Sequence, residues 1–195
     1  MLGMQQDRPT AAKKTMLAPK VSPEAYLRAL HPPSGRGKPV VLMIDGPDKI
    51  RSAATPSELL PTIASAWAEG TSYISLNRFH GVRRVSRLAA LNALYVDLDT
   101  YNCPSLSQLM DEALDRVILD HVSLIGLPPP SFLLDTGRGR AAVWLIRELP
   151  AAAHPRWRAC QRALVAACKL LEADPACTDA ARVFRLPGST NGKSG

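Results

Sequence analysis

The clearest pattern of apolar and polar positions lies in the second half of the chain. An apolar run over 93–98 predicts a strand that ends in acids, and residues 105–125 carry an apolar stripe at helical spacing. The same patterns predict two strands, a helix and a last short strand, over 131–134, 141–146, 155–172 and 183–186. The order β-α-β-β-α-β is that of the ferredoxin-like fold, which RNA-recognition motifs (RRM) share. With both helices on one face of the sheet, we expect the other face to be open.

The first half of the chain predicts a smaller α/β lobe that follows a basic arm. Ser22 followed by Pro23 is typical of a helix start. Apolar runs predict two strands with a helix between them, over 40–44, 72–76 and 56–69. Residues 1–20 have no such pattern, which is typical of a mobile segment. We expect a two-lobed α/β (α+β) fold with three parts, namely the arm 1–20, an N-terminal lobe over 21–90 and an RRM-like lobe over 91–195.

Charge and cysteine content narrow the classes of partner and compartment. The net charge is +7, and residues 1–40 carry seven Lys or Arg against two acids. This excess is compatible with a polyanionic partner but does not identify one. The four cysteines show no C-x-x-C spacing, so the sequence predicts neither a zinc site nor a disulfide framework. No apolar run approaches the roughly 20 residues of a membrane span, and we expect a cytoplasmic protein with no membrane contact.

Asp97 and Asp99 form a D-x-D pair at the end of the strand over 93–98. Because side chains alternate along a strand, both carboxylates should lie on one face, where they repel each other unless a cation sits between them. Carboxylates are ligands that Mg²⁺ and Mn²⁺ prefer, and two such metals would activate an attacking hydroxyl and stabilise a leaving group. A strand that merely ends in solvent would show the same two acids.

Two further segments carry residues suited to phosphate chemistry. In the turn over 135–140, Gly139 would let the backbone approach a ligand and Arg138 could fork onto phosphates, although a hairpin with solvated arginines fits equally. Near the C-terminus, Asp174 could supply a third carboxylate, and Arg185 on the last strand could point at the open face. The run over 187–194 nearly has Walker A spacing, but Pro187 replaces its first glycine, so we reject a P-loop.

Together, the three segments resemble the catalytic domain of the archaeo-eukaryotic primase (AEP) superfamily, and most closely the primase-polymerases of plasmids and mobile elements. That family has an apolar strand ending in D-x-D, a small-Gly-Arg-Gly turn before a strand with Trp, and an acid followed by a segment like A-R-V-x-R-L-P-G-S-x-N-x-K. The matching residues here are 95–99, 136–144 and 174–193. The resemblance covers roughly residues 72–195 and makes the lobe over 91–195 the catalytic one.

The resemblance implies a role for each matching residue. The metal ligands would be Asp97, Asp99 and Asp174, holding Mg²⁺ or Mn²⁺. The incoming NTP or dNTP would be bound by Arg138, Gly139, Arg185, Asn191 and Lys193. One departure matters: the family usually has a His two residues after the turn, where it reaches the triphosphate, and this chain has Ala141. Arg140 or His80 could compensate for that loss.

A basic segment precedes the D-x-D strand. Arg83, Arg84 and Arg87 could follow a template phosphate backbone, or they could be a solvated loop. The sequence thus predicts a template-dependent DNA primase/polymerase that acts on single-stranded DNA in plasmid or mobile-element replication. It would be part of a longer replication protein, with a fused or separate helicase. Two alternatives stay open: a weakened homologue that only binds single-stranded nucleic acid, and a metal-dependent phosphodiesterase.

Overall fold

The computed structural model describes residues 21–45, 49–62, 71–187 and 189. Within them lie the strands β1 Val40–Asp45, β2 Lys49–Ala54, β3 Thr71–Ser75, β4 Arg78–Phe79, β5 Leu88–Leu98, β6 Phe132–Asp135, β7 Arg140–Pro150 and β8 Val183–Arg185. The α-helices α1 to α4 are Pro23–Leu30, Pro104–Ser107, Asp111–Leu124 and His154–Ala167. The predicted arm 1–20 and the second half of the helix predicted in 56–69 lie outside the described residues. None of the described helices has the length and apolar character needed to cross a membrane.

Most predicted elements are present, and two differences have clear causes. Ser22 caps α1 as predicted, since its Oγ accepts a hydrogen bond from the Ala25 backbone N–H at 3.2 Å. The single helix predicted over 105–125 was wrong, because Met110 has extended backbone angles and its side chain is 81% exposed. The chain starts a new helix, α3, there. β2 and β4 were not predicted, because β2 has no apolar run and β4 has only two residues.

The strands form two antiparallel sheets with the orders β2-β1-β3-β8 and β4-β5-β7-β6. The order β-α-β-β-α-β along the chain is present, but β8 pairs with β3, where Arg185 lies opposite Tyr73. The ferredoxin-like expectation that this last strand joins the sheet of β5 was therefore wrong. The sheets also do not divide at residue 90, because β5 begins at Leu88 and β8 completes the first sheet.

Side chains and a loop satisfy the edge of β5 that the last strand was expected to pair with. The Trp157 Nε1–H donates to the Ala93 carbonyl at 2.9 Å. The Gln161 amide accepts from the Tyr95 N–H and donates to the Tyr95 carbonyl, as a neighbouring strand would. Ala173 then forms a single antiparallel bridge with Leu98. Because buried backbone groups need partners, these contacts explain why β8 is not required at this edge.

The two faces of the second sheet pack against different layers. One face, which we call the helix face, buries Val96 and Trp144 against α3 and α4. The other, which we call the cleft face, packs against α1 and the first sheet, with Tyr26 against Phe132 (ring centroids 5.0 Å apart) and Phe184 against Tyr95 (5.5 Å). The expectation of an open face was therefore wrong for these rows of the sheet. Functional side chains on the cleft face must therefore lie past the region that α1 and the first sheet cover.

Candidate active site

The end of β5 carries the D-x-D pair. Asp97 lies on the cleft face, directly opposite Ala141 of β7, and is half-buried. Asp99 follows the last residue of β5 and begins a short 3₁₀ turn over Thr100–Asn102. The backbone of Asp99 has left the regular strand conformation (φ −79°, ψ 52°), and its N–H donates to the Glu172 carbonyl at 2.9 Å. Both acids thus lie at one end of the sheet, but the rule of strand alternation applies only to Asp97, because Asp99 lies outside β5.

Backbone pairing brings Asp174 next to Asp97. Ala173 bridges Leu98 in antiparallel register, and the Asp174 N–H donates to the Asp97 carbonyl at 2.8 Å. Directly opposite residues of an antiparallel pair have their Cβ atoms about 4.5–5.5 Å apart, with the side chains on the same face. Asp174 and Asp97 therefore lie side by side, although 77 positions separate them in the sequence, and Asp99 follows two residues after Asp97.

Burial and neighbouring charges both act on the Asp97 carboxyl. Burial first, and then the negative charges of Asp99 and Asp174, raise the pKa of Asp97 to about 6, while Arg182 acts in the opposite direction. Both causes disfavour a carboxylate that has no cation beside it. However, the described residues contain no ready-made group of three His, Cys, Asp or Glu side chains that could hold a metal ion.

Buried and half-buried side chains hold the segment Asp174–Arg182, which we call the carboxylate loop. Four of its backbone carbonyls accept hydrogen bonds from side chains outside the loop. The donors are Gln161 to Cys177, the Tyr95 hydroxyl to Asp179, Asn77 to Ala180 and Arg83 to Ala181. Sequence reasoning missed Gln161, Tyr95 and Asn77. A usable signal existed for Gln161, which is a polar residue four positions after Trp157 on an otherwise apolar helix face.

The turn between β6 and β7 is held by its own polar side chains. Asp135 Oδ1 accepts from the Gly137 N–H at 2.7 Å, and Thr136 Oγ1 accepts from the Gly139 N–H at 3.1 Å. Gly139 packs against β5, since a β-carbon there would lie 2.2 Å from the Leu98 carbonyl oxygen. The guanidinium of Arg138 stacks on the Tyr101 ring, 4.5 Å from its centroid. The turn that was predicted to bind nucleotide therefore borders the D-x-D pair.

Neither of the two residues suggested as substitutes for the missing His faces the carboxylates. Arg140 lies in the row of Leu98, on the helix face, where it pairs with Asp111 and Asp115 at 2.7 Å and with Asp135 at 3.2 Å. His80 is exposed. Ala141 itself shares the cleft face with Asp97 but is fully buried, in the core beneath the first sheet.

The last motif is only partly described. The guanidinium of Arg185 lies over the Tyr73 ring at 5.4 Å from its centroid, and Arg185 also borders a cavity of about 660 Å³ next to β6. Leu134 and Ser189 line the same cavity, which does not include the three carboxylates. Because Phe184 points into the cleft, Arg185 belongs to the opposite face of the first sheet. Asn191 and Lys193 lie outside the described residues.

The basic segment before β5 lies beside the carboxylate loop. The Arg83 guanidinium donates to the Ala181 carbonyl, which ties this segment to the residue before Arg182. Arg84 and Arg87 are exposed and make the turn itself, since the Arg87 N–H donates to the Arg84 carbonyl at 2.8 Å. The three predicted arginines therefore do different things, with one fixed to the loop and two facing solvent.

Two known proteins are similar to this chain, one in sequence and one in fold. A replication protein of Clostridium perfringens is 36% identical over 126 residues, which make up 63% of this chain and 29% of that protein. The chain thus spans less than a third of the length of this curated relative. The AEP domain of the cyanophage S-2L primase-polymerase (PrimPol) matches with a TM-score of 0.58 and 21% identity, over 82% of this chain and 77% of that one. No protein-family model matches the chain.

The chain has the fold of a primase-polymerase AEP domain, a mixed α+β fold with two antiparallel sheets. In sequence it is similar to a replication protein. The fold that the resemblance of the three motif segments implied is thereby confirmed.

Proposed function

We propose that this domain is a template-dependent nucleotidyltransferase that makes or extends primers on single-stranded DNA. The observation that carries the proposal is the backbone pairing that sets Asp174 beside Asp97, with Asp99 two residues further on. In the reaction, a 3′-hydroxyl attacks the α-phosphorus of an incoming nucleotide, a new phosphodiester bond forms, and pyrophosphate leaves.

The three acids would hold Mg²⁺ or Mn²⁺. The surroundings of Asp97 support this assignment, because its carboxyl is half-buried near Asp99 and Asp174, and burial together with their charges raises its pKa. A bound divalent cation would supply activation of the attacking hydroxyl and charge neutralisation on the leaving pyrophosphate. The chain's own contribution is to fix the acids, through the Ala173–Leu98 bridge and the side chains that hold the carboxylate loop.

The nucleotide and the template would lie on either side of these acids. For the NTP or dNTP triphosphate we propose Arg138, with Gly139 positioning the D-x-D pair, and Asn191 and Lys193 from the last motif. Arg185 is left out of this proposal, because it lies on the opposite face of the first sheet and borders a cavity that does not include the carboxylates. For the single-stranded template we propose the basic segment with Arg84 and Arg87, since both are exposed and follow Arg83, which contacts the carboxylate loop. Phosphate contacts of this kind make binding weaken with increasing salt.

A primer-synthesis assay tests the proposal. The protein is incubated with a single-stranded template, labelled nucleotides and Mn²⁺, and we expect extended products that Asp97→Asn and Asp99→Asn reduce by at least about 100-fold. Asp120→Asn is the matched control, because Asp120 is an exposed acid on α3 away from the site. Wild-type rates in both site variants would overturn the assignment. Shortening of a labelled strand without nucleotides would instead indicate a phosphodiesterase.

A second candidate is a binding module for single-stranded nucleic acid that has lost catalysis. The observation that favours it is Ala141, which leaves the cleft face next to Asp97 without a side chain to contact a triphosphate. It predicts binding of single-stranded DNA without uptake of nucleotide and metal, whereas the nucleotidyltransferase binds all three. Calorimetric titration with dNTP and Mn²⁺ separates the two. A helicase partner, plasmid or mobile-element replication and a cytoplasmic location stay predictions from the sequence.

A further inference from the structure

Arg182 lies among the carboxylates of the carboxylate loop. Its Nη1 is 3.4 Å from Asp174 Oδ2 and its Nε is 3.5 Å from Asp179 Oδ2. Its Nη2 donates to the Ala176 carbonyl. The side chain is 24% exposed, so water screens these interactions only in part. The same positive charge also acts on Asp97.

Both oxygens of Asp174 are engaged in this arrangement. Oδ1 accepts from the Ala176 N–H at 2.8 Å, which forms a tight turn, and Oδ2 faces Arg182. The contact with Arg182 is long for a hydrogen bond between ions, which usually measures about 2.7–2.9 Å. Oδ2 is therefore the oxygen that can change partner without disturbing the backbone of the loop.

A divalent cation and a guanidinium would compete for this oxygen. A metal held by Asp97 and Asp174 would lie within a few ångströms of the Arg182 charge, and two positive charges at such separation repel. The arginine lowers the repulsion between the acids while no metal is present. The same charge must then oppose metal entry.

We propose that Arg182 is the resident counter-cation of this site, holding Asp174 in place of a divalent cation and thereby weakening the affinity for free metal. The inference rests on the proposed function, since it requires a metal at the three acids. In this role Arg182 is a positioning residue whose positive charge lowers the affinity of the site for a divalent cation. A side chain that only supported the loop would have the opposite effect on metal affinity, because its loss would loosen Asp174.

The test is a Mn²⁺ titration followed by electron paramagnetic resonance, which counts free Mn²⁺ and needs no catalysis. We expect Arg182→Gln to bind Mn²⁺ about 3- to 10-fold more tightly than the wild type, as expected for loss of one partly screened charge. Arg182→Lys keeps the charge and should stay within about twofold of the wild type. Equal or weaker binding by Arg182→Gln would overturn the inference. Circular dichroism verifies that the variants are folded.

Asp97→Asn distinguishes the two ways in which the idea can fail. If the wild type and Asp97→Asn bind Mn²⁺ alike, no metal site exists at the acids, and the proposed function fails together with this inference. If Asp97→Asn loses binding but Arg182→Gln gains none, only the role of Arg182 is wrong. Should Arg182→Gln not fold, the wild type labelled with ¹⁵N-arginine gives the answer. In its NMR spectrum, the Arg182 Nε–H signal is the one that is missing from Arg182→Lys. We expect this signal to shift when Mg²⁺ is added. An unchanged signal would contradict the exchange of partners.

Discussion

Gly139 in the β6–β7 turn lies against the carbonyl oxygen of Leu98, the residue between the two acids of the D-x-D pair. A β-carbon on Gly139 would come within 2.2 Å of that oxygen and 3.4 Å of the Thr100 nitrogen. Both atoms are backbone atoms, which cannot yield as the end of a flexible side chain would. The approach of the turn to β5 therefore helps to set where Asp97 and Asp99 lie.

We predict that Gly139→Ala displaces the D-x-D pair and lowers primer synthesis by about 100-fold, the cost of a misplacement of about 1 Å. Gly126→Ala is the control. A β-carbon on Gly126 meets no atom within 4 Å, but its φ of +74° makes alanine strained. That variant should lose about 1 kcal/mol of stability and keep its activity. A Gly139→Ala protein with the wild-type rate would show that the turn does not position the acids.

Gln161 provides a second prediction, because its buried amide joins β5 to the carboxylate loop. Gln161→Leu leaves the Tyr95 N–H and carbonyl and the Cys177 carbonyl without this partner. Buried groups without partners cost about 1–3 kcal/mol each, so for three such groups we expect a loss of at least about 3 kcal/mol in the free energy of unfolding. Urea denaturation measures it. The exposed Gln108→Leu should change stability by less than about 0.5 kcal/mol, and equal effects of the two changes would contradict the role of Gln161.

Whether a feature of this site could be predicted from the sequence depends on how far apart the contacting residues lie along the chain. The position of the D-x-D pair at the end of β5 follows from the apolar run before it, which is a local signal, although Asp99 has already left the strand. Asp174 was found by its position in a motif rather than by any local rule. Its place beside Asp97 depends on the bridge of Ala173 to Leu98, and such a contact between distant residues leaves no periodic trace in a sequence.

The misplaced last strand has the same kind of cause. The three residues of β8 are compatible with either sheet, because their apolar and polar alternation presents Phe184 to the core in both. The edge of β5 does not need β8 as a partner, because the side chains of Trp157 and Gln161 already form hydrogen bonds with its backbone. The alternation of apolar and polar residues along a strand does not reveal that a helix residue will take the place of a neighbouring strand. The tertiary contact therefore decided the pairing.

His31 predicts a dependence of stability on pH. It is fully buried, with its Nε2 2.8 Å from the Ser75 carbonyl, and burial lowers its pKa to about 3. Between pH 6.5, the usual histidine value, and pH 3, only the unfolded chain binds this proton, so stability falls as the pH falls. His31 should contribute a loss of about 2 kcal/mol between pH 7 and pH 5.

The measurement compares urea denaturation of the wild type and His31→Gln at pH 7, 6 and 5. Glutamine can still donate to Ser75 but does not titrate, so the contribution of His31 is the difference between the two pH dependences. Other groups, including the Asp97 carboxyl, contribute alike to both proteins and cancel. Parallel pH dependences of the two proteins would mean that the histidine is protonated in the folded state.

Ala141→His tests whether the family histidine can be restored. The position is correct, since residue 141 lies opposite Asp97 on the cleft face. There is no room for a larger side chain, however, because Ala141 is fully buried in the core shared with the first sheet. An imidazole there must displace apolar neighbours, which costs about 1–3 kcal/mol, and burial would keep it uncharged. We therefore expect lower thermal stability and no gain in affinity for dNTP. A variant that binds dNTP more tightly at unchanged stability would show that the cleft opens to admit a triphosphate beside Asp97.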